Sequence, residues 1–123
     1  MSLMKRRSAI LGALLSDAAT MPLHWIYDMK KFTEIVGSKC STPEFFATPS
    51  CPFYGADQYP VGRLSPYGDE VMVLLKCMAE QGQFEAKLFA AATLEFANGY
   101  TGRLNHAIKD FKAAVDAGKP LAE

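Results

Sequence analysis

The stretch Ser65-Pro-Tyr-Gly-Asp-Glu-Val-Met-Val-Leu-Leu-Lys-Cys-Met78 decides how the rest of the chain is interpreted. Pro66 suits the first turn of a helix, and the carboxylates of Asp69 and Glu70 favour the positive end of the helix dipole. The apolar residues that follow have helical spacing and form the stripe of a buried face: Val71, Leu74, Leu75 and Met78. We therefore expect a helix from Tyr67 to Gln81, anchored in a core, with two adjacent carboxylates at its start.

This acidic pair has two interpretations. In the first, Asp69 only caps the helix by accepting hydrogen bonds from backbone N–H groups that lack a partner within the helix. In the second, Asp69 and Glu70 hold a hard cation, because such cations bind preferentially to carboxylate oxygen. The first interpretation makes the start of the helix a structural feature, and the second makes it a functional site.

Length and composition indicate one globular domain without a strong charge. The chain has 123 residues, and 50% of them are hydrophobic, which is enough for one modest core. Basic and acidic residues number 13 each, so the formal net charge is zero. The lack of a basic patch argues against nucleic-acid binding, and a charge near zero permits self-association.

The cysteines and the N-terminal residues both give information on the cellular compartment of the protein. The three cysteines are odd in number and form no C-x-x-C pair, which favours a reducing, cytoplasmic setting. A zinc site built from Cys40, Cys51 and a histidine is an alternative, although the spacing matches no standard zinc motif. Residues 5–15 imitate a secretory signal, but their apolar run is too short to span a bilayer and no clean cleavage signal follows. We therefore expect no membrane association.

Four further segments predict helices and none predicts a strand, so the expected fold class is all-α. The segments are residues 5–21, ended by Pro22; 29–36; 85–96, followed by a turn at Asn98-Gly99; and a last helix capped by Asn105. Gly82 is expected to end the central helix. The predicted inward faces are Ile10, Leu11, Leu14, Leu15, Ala18 and Met21; Leu88, Phe89, Ala92 and Phe96; and Ile108, Phe111 and Val115.

Three features outside the central stretch bear on a ligand site. The segment Leu23-His24-Trp25-Ile26-Tyr27-Asp28 forms either a ligand wall with polar tips or an aromatic plug over the core. Residues 37–66 are rich in proline and aromatic side chains, which predicts a long, ordered loop of the kind that lines binding sites. Asp17 is a carboxylate in the apolar half of the first helix, so it must be paired unless it lies on the solvent edge.

With these residues in view, the sequence resembles the ADP-ribosylglycohydrolase family, and within it the branch that contains the jellyfish J-type crystallins. Gly12–Asp28 is similar to the opening G-A-x-x-x-D-A helix and the H-W-I-Y-D segment of that branch. Ser65–Glu70 stands where the classical enzymes have Y-T-D-D-T, and Tyr100–Asn105 is also like the branch. The likeness runs over nearly the whole chain in matching order, and its first stretch is the most specific.

The resemblance implies an all-helical hydrolase that uses magnesium to cleave the glycosidic bond of ADP-ribosylated substrates. Two Mg²⁺ ions would fix the ribose hydroxyls and stabilise charge as the bond at the anomeric carbon breaks. Asp69 and Glu70 match the first two metal-binding acids of the family and would be the catalytic and metal residues. The residues expected around the substrate are Asp17, His24, Trp25, Tyr27, Asp28, Tyr67 and Gly68. The implied partner is a small molecule that contains ADP-ribose or an ADP-ribosylated protein.

The chain departs from the family's pattern at four positions. Gly68 and Val71 each replace a threonine, and the threonine at the first position would face a metal. His24 stands where some members have a metal-binding glutamate, but imidazole is a poor magnesium ligand, so His24 would touch substrate or carry a proton. Glu70 replaces an aspartate, which moves its carboxylate outward by about one ångström. Magnesium tolerates such a displacement badly.

Members of the family are much longer, and their second half completes the metal centre. This chain matches only the N-terminal portion of the pattern, and we interpret it as a fragment, a truncated isoform or a degenerate gene product. We expect it to be inactive by itself, and poorly stable or aggregation-prone because core surface is left uncovered. Two other interpretations are a non-catalytic, crystallin-like structural protein and a helical module that docks onto a partner through the uncovered face.

Overall fold

The computed structural model describes residues 2–37, 45–46 and 57–121. Within these ranges the elements are α1 (Leu3–Thr20), the 3₁₀ turn Met21–Leu23, α2 (Met29–Val36), α3 (Pro66–Gln81), α4 (Ala86–Gly99) and α5 (His106–Asp116). The same residues contain no strand, which confirms the all-α prediction. None of these helices is long and apolar enough to cross a bilayer. Most of the loop predicted over residues 37–66, including the alternative zinc ligands Cys40 and Cys51, lies outside the described residues.

Local side-chain chemistry sets the starts of two helices, and of these two caps the sequence analysis predicts the one at Asn105. The Asp28 carboxylate accepts hydrogen bonds from the backbone N–H groups of Lys30 at 2.9 Å and Lys31 at 3.2 Å, which caps α2. The Asn105 Oδ1 atom accepts from the Ile108 N–H at 3.0 Å and caps α5. Each cap satisfies backbone donors that have no partner within the helix.

The ends of α3 and α4 show one success and one error of the sequence analysis. Gly82 adopts a φ of 71° directly after α3, as expected for a glycine that ends a helix. The turn predicted at Asn98-Gly99 is wrong, because both residues belong to the last turn of α4. The chain leaves the helix only at Tyr100, which is extended. The Asn-Gly pair is a turn signal in isolation, but here the helix continues through it.

The chain divides into two compact units, Met1–Gly68 and Asp69–Glu123, with the boundary in the first turn of α3. The first unit has a small core in which Met21 and Tyr59 are fully buried and Trp25 packs against them. In the second unit α4 and α5 pack against each other, and α4 buries Thr93 and Ala97.

Several apolar side chains that helical spacing places on inward faces are exposed, so that part of the prediction is wrong. Their exposed fractions lie between 40% and 67% for Ile10, Leu11, Leu15, Val71, Met78 and Leu88. Other members of the same stripes are buried or half-buried, among them Leu14, Ala18, Met21, Leu74 and Leu75. Helical spacing identifies residues that share a face, but burial also needs an element packed against that face.

Candidate functional site

Asp17 is half-buried and fixes Ser65, the residue directly before α3, within the first unit. Its Oδ2 accepts a hydrogen bond from the Ser65 backbone N–H at 2.8 Å, and its Oδ1 accepts from the Ser65 hydroxyl at 2.6 Å. Ser65 is fully buried, and its Oγ accepts from the N–H groups of Tyr67 at 3.2 Å and Gly68 at 3.3 Å. Ser65 therefore fills the capping role that the sequence analysis allowed for Asp69.

Gly68 lies against this carboxylate with no room for a side chain. A Cβ atom built on Gly68 would overlap Asp17 Oδ2, lie 2.9 Å from Asp17 Cγ and lie 3.0 Å from the Leu64 Cβ. Glycine at position 68 therefore has a steric reason in the structure. A threonine at position 68 would require the carboxylate of Asp17 to move.

His24, Trp25 and Tyr67 form an aromatic cluster in the first unit. The Trp25 Nε1–H donates to the Tyr67 hydroxyl at 2.9 Å, and the two rings meet edge to face with centroids 5.9 Å apart. The centroid of the His24 ring lies 6.0 Å from that of Tyr67. Trp25 also adopts a φ of 62°, a left-handed conformation that costs a residue other than glycine on the order of 1–3 kcal/mol. Backbone strain of this kind is concentrated at functional sites, which favours the ligand wall, although Trp25 also packs on the core as the plug interpretation requires.

The protonation of His24 is set by its surroundings in this cluster. Burial lowers the pKa of His24 from its ordinary value of 6.5, and the negative charge of Asp17 opposes that change. The imidazole is therefore neutral at neutral pH, with one ring nitrogen able to donate and the other able to accept a hydrogen bond. A neutral imidazole can both donate a hydrogen bond to a hydroxyl group and accept one from it.

Two of the seven predicted substrate residues are joined by the described contacts neither to the aromatic cluster nor to Asp17 and Gly68. Tyr27 is 83% exposed, and in the described part of the chain no hydrogen bond or ring contact joins it to the cluster. The carboxylate of Asp28 caps α2. The structure thus brings together five of the seven predicted substrate residues: Asp17, His24, Trp25, Tyr67 and Gly68. Substrate binding by any of the seven stays a prediction.

Asp69 and Glu70 are half-buried, follow each other at the start of α3 and belong to the second unit. The Tyr100 hydroxyl donates to Asp69 Oδ2 at 2.7 Å. The Asn105 Nδ2 group lies 2.8 Å from Oε1 and 2.9 Å from Oε2 of Glu70, while the Oδ1 atom of the same amide caps α5. The segment that joins α4 to α5 therefore holds both carboxylates through neutral side-chain donors.

The ionised form of Glu70 is disfavoured in this position. Burial raises the pKa of the Glu70 carboxyl from its ordinary value of 4.5, the hydrogen bond from Asn105 opposes the change, and the charge of Asp69 adds to it. A cation close to both carboxylates would offset the cost of burying the charge of Glu70 and its repulsion by Asp69.

The carboxylate oxygens of Asp69 and Glu70 are of the type that a hard cation binds, but they are too few to complete its coordination. Magnesium is commonly bound through one or two carboxylates, with water and substrate oxygens completing its octahedron. Across the described ranges, no group of three or more His, Cys, Asp or Glu side chains could hold a metal ion. Asp69 and Glu70 would therefore supply two protein ligands of a site that needs others.

A groove of about 700 Å³ lies between α3 and α4 in the second unit. Its apolar lining includes Val73, Leu88 and Phe96, and the free thiol of Cys77 is buried beside them. Tyr100 also lines the groove, so the residue that holds Asp69 is shared with this apolar surface.

The sequence analysis missed the roles of two residues. Ser65 precedes a proline at a helix start, and serine in that position is a standard capping signal that was not used. Tyr100 was quoted within a family-like stretch, but nothing in the sequence pairs it with a residue in α3. That pairing depends on how the connection after α4 folds back, which helical spacing does not predict.

Two crystallins of Tripedalia cystophora are similar to this chain. It is 40% identical to crystallin J1A and 38% identical to crystallin J1B, over 88 residues in both cases. Each match covers 72% of this chain and 26% of the crystallin, so the matched part spans about a quarter of the length of these relatives. No protein-family model and no solved structure matches the chain. The chain is thus similar to part of the J1 crystallins, which supports the crystallin-like part of the resemblance.

Proposed function

We propose that this chain contains the acidic part of an ADP-ribosylglycohydrolase-like site, in which Asp69 and Glu70 would hold magnesium against the ribose of an ADP-ribosylated substrate. The observation that supports this most is the arrangement of the two half-buried carboxylates on consecutive residues, each held by a neutral donor. These two donors fix the directions of the carboxylates. The raised pKa of Glu70 agrees with this view.

The chain's own residues would have distinct tasks at this site. Magnesium, when bound, would stabilise charge on the ribose and order a water molecule for hydrolysis. Tyr100 and Asn105 would fix the directions of the two carboxylates. The pKa of Glu70 is raised in the chain without a cation, and bound magnesium would hold this carboxylate in its ionised form as a ligand.

We expect this chain to bind ligand weakly and to show no turnover by itself. The described residues offer two carboxylates and no third acidic or histidine ligand in reach. The longer side chain of Glu70 also weakens a magnesium geometry that aspartate would satisfy. A complete protein of this kind would act on an ADP-ribosylated protein or a small molecule containing ADP-ribose.

The test is stabilisation of the folded chain by magnesium and ADP-ribose together. A ligand present at its Kd raises the free energy of unfolding by about 0.4 kcal/mol, and at one hundred times Kd by about 2.7 kcal/mol. We expect an increase in Tm at millimolar ligand, and its loss in the variants Asp69→Asn and Glu70→Gln. The matched control is Asp116→Asn, because Asp116 is exposed and pairs only locally with Lys112. An unchanged Tm, or an equal loss of the effect in Asp116→Asn, would contradict the proposal.

The second candidate function is a non-catalytic, crystallin-like role, which the names of the similar proteins favour. The formal net charge of zero and the exposed apolar side chains on α1 and α3 suit self-association better than ligand chemistry. The variant Glu70→Asp separates the two candidates. If magnesium stabilises only Glu70→Asp and not the natural chain, cation binding has been lost and the crystallin-like role is favoured. Sedimentation of the chain at increasing protein concentration then measures the self-association that we expect for a crystallin-like role.

A further inference from the structure

We propose that Asp17 is a positioning residue that fills the space of the missing side chain at position 68. Asp17 and Gly68 then act as an interlocked pair that sets the first turn of α3 and, through it, the contact between Trp25 and Tyr67. This role involves no cation and is separate from the proposed function.

The first step concerns why position 68 is glycine. Gly68 lies within α3 and is not among the glycines with positive φ, so its backbone conformation does not require glycine. Within a helix, alanine would be favoured over glycine by intrinsic propensity. The added Cβ, however, would overlap Asp17 Oδ2 and lie 2.9 Å from Asp17 Cγ. Glycine is therefore explained by the carboxylate that occupies the site, not by the backbone.

The second step concerns why position 17 is an aspartate. Both of its oxygens accept hydrogen bonds from Ser65, one from the backbone N–H and one from the hydroxyl. Ser65 is fully buried, so these donors have no access to water if the carboxylate is removed. An asparagine would offer one acceptor and turn an NH₂ group towards a donor, so it would not replace the aspartate.

The third step connects the pair with the aromatic cluster. Tyr67 lies between the capping serine and Gly68, and its backbone N–H is bound by Ser65 Oγ. Its hydroxyl accepts the hydrogen bond from the Trp25 indole at 2.9 Å. A shift in the first turn of α3 would therefore change the surroundings of Trp25, which is the chain's single tryptophan.

The test is a double-mutant cycle that measures how much of the effect of Gly68→Ala depends on Asp17. In the natural chain, Gly68→Ala should lower the urea midpoint because the new methyl group displaces the carboxylate. In the Asp17→Ala background, Gly68→Ala should lower the midpoint much less or not at all, because the carboxylate is gone and only the Leu64 Cβ, at 3.0 Å, still crowds the new methyl group. Gly12→Ala is the matched control: Gly12 lies in α1 with nothing within 4 Å of its Cβ, so this change should not lower the midpoint in either background. A rise in the midpoint for Gly68→Ala in the natural chain, or an equal fall in both backgrounds, would overturn the proposal.

A second readout keeps the proposal testable if the Asp17→Ala chain has no cooperative transition. The urea midpoints of Gly68→Ala and Gly12→Ala in the natural chain then test whether the Asp17 carboxylate excludes a side chain at position 68. Tryptophan fluorescence decides the positioning part: Gly68→Ala and Asp17→Asn should shift the emission maximum of Trp25, and Gly12→Ala should not. Unchanged emission in both of the first two variants would show that the pair does not position the aromatic contact.

Discussion

Asp17 and Glu70 are both half-buried carboxylates, and the difference between their partners separates a structural acid from a candidate binding acid. Asp17 accepts from the backbone and the hydroxyl of one fully buried serine, and its carboxylate fills the space beside Gly68. Glu70 is held by a single side-chain amide from Asn105, and burial raises its pKa. A carboxylate with buried, fixed donors stabilises the fold, whereas one held by a single side-chain amide can exchange that partner for a cation.

Among the variants that test this comparison, we expect the largest loss of stability at Asp17. Asp17→Ala leaves two buried donors of Ser65 without partners, so we expect a loss of about 2–3 kcal/mol in the free energy of unfolding. Urea unfolding followed by circular dichroism measures it. Asp28→Ala is the control, because it removes an exposed helix cap and should cost about 1 kcal/mol. If the two variants lose the same free energy, Asp17 has no special structural role.

A smaller loss is expected at Asn105, which serves both the fold and Glu70. Asn105→Ala removes the cap of α5 and the donor to Glu70, and we expect a cost of about 1–2 kcal/mol at neutral pH. The matched variant Asn105→Asp keeps an acceptor for the cap but places a third carboxylate against Glu70. Its stability should therefore be low at neutral pH and recover in acid, when the carboxylates become protonated. Equal behaviour of the two variants across pH would mean that the amide does not act on Glu70.

The next effect is a pH dependence located in the first unit. Because burial lowers the pKa of His24, the stability from its neutral form is fully present above 6.5. As the pH falls below 6.5 the unfolded chain takes up a proton first, so stability declines until the pH passes the folded-state pKa. His24→Asn should remove this decline, as measured by urea midpoints across the range. His106→Asn, a change at the first residue of α5, should retain it.

The smallest effect is expected at Glu70 itself. Its raised pKa means that the folded chain binds this proton more tightly than the unfolded chain, so ionisation at neutral pH destabilises the fold. Glu70→Gln avoids that cost and should be slightly more stable at neutral pH. The advantage should shrink as the pH falls through the raised pKa and vanish below 4.5, which paired urea midpoints can show. If Glu70→Gln is less stable than the natural chain at neutral pH, the Glu70 carboxylate stabilises the fold, as the Asp17 carboxylate does.

Local signals in the sequence predict the helices well because each depends on neighbours in the chain. Pro66 and Gly82 bracket α3, and Asn105 caps α5, as expected from capping chemistry alone, whereas Asp28 caps α2 although it was predicted as a substrate residue. The exposure of Val71 and Met78 could not be predicted, because helical spacing does not indicate which element covers a face.

The candidate site was predictable as a set of residue types, but not as a set of contacts. The pairings of Asp17 with Ser65 and of Asp69 with Tyr100 join residues separated by 48 and 31 positions. Such contacts depend on tertiary folding. The reason for glycine at position 68 is likewise visible only once the Asp17 carboxylate is located in space.

The most direct test of the acidic pair follows the side-chain NH₂ resonances of Asn105 by nuclear magnetic resonance as magnesium is added. The account predicts a saturable shift of these resonances, because a cation at Asp69 and Glu70 changes the carboxylate to which the amide donates. The shift should be absent in Glu70→Gln and present in Asp116→Asn. Resonances that do not move, or that move equally in Glu70→Gln, would contradict a cation site at this pair.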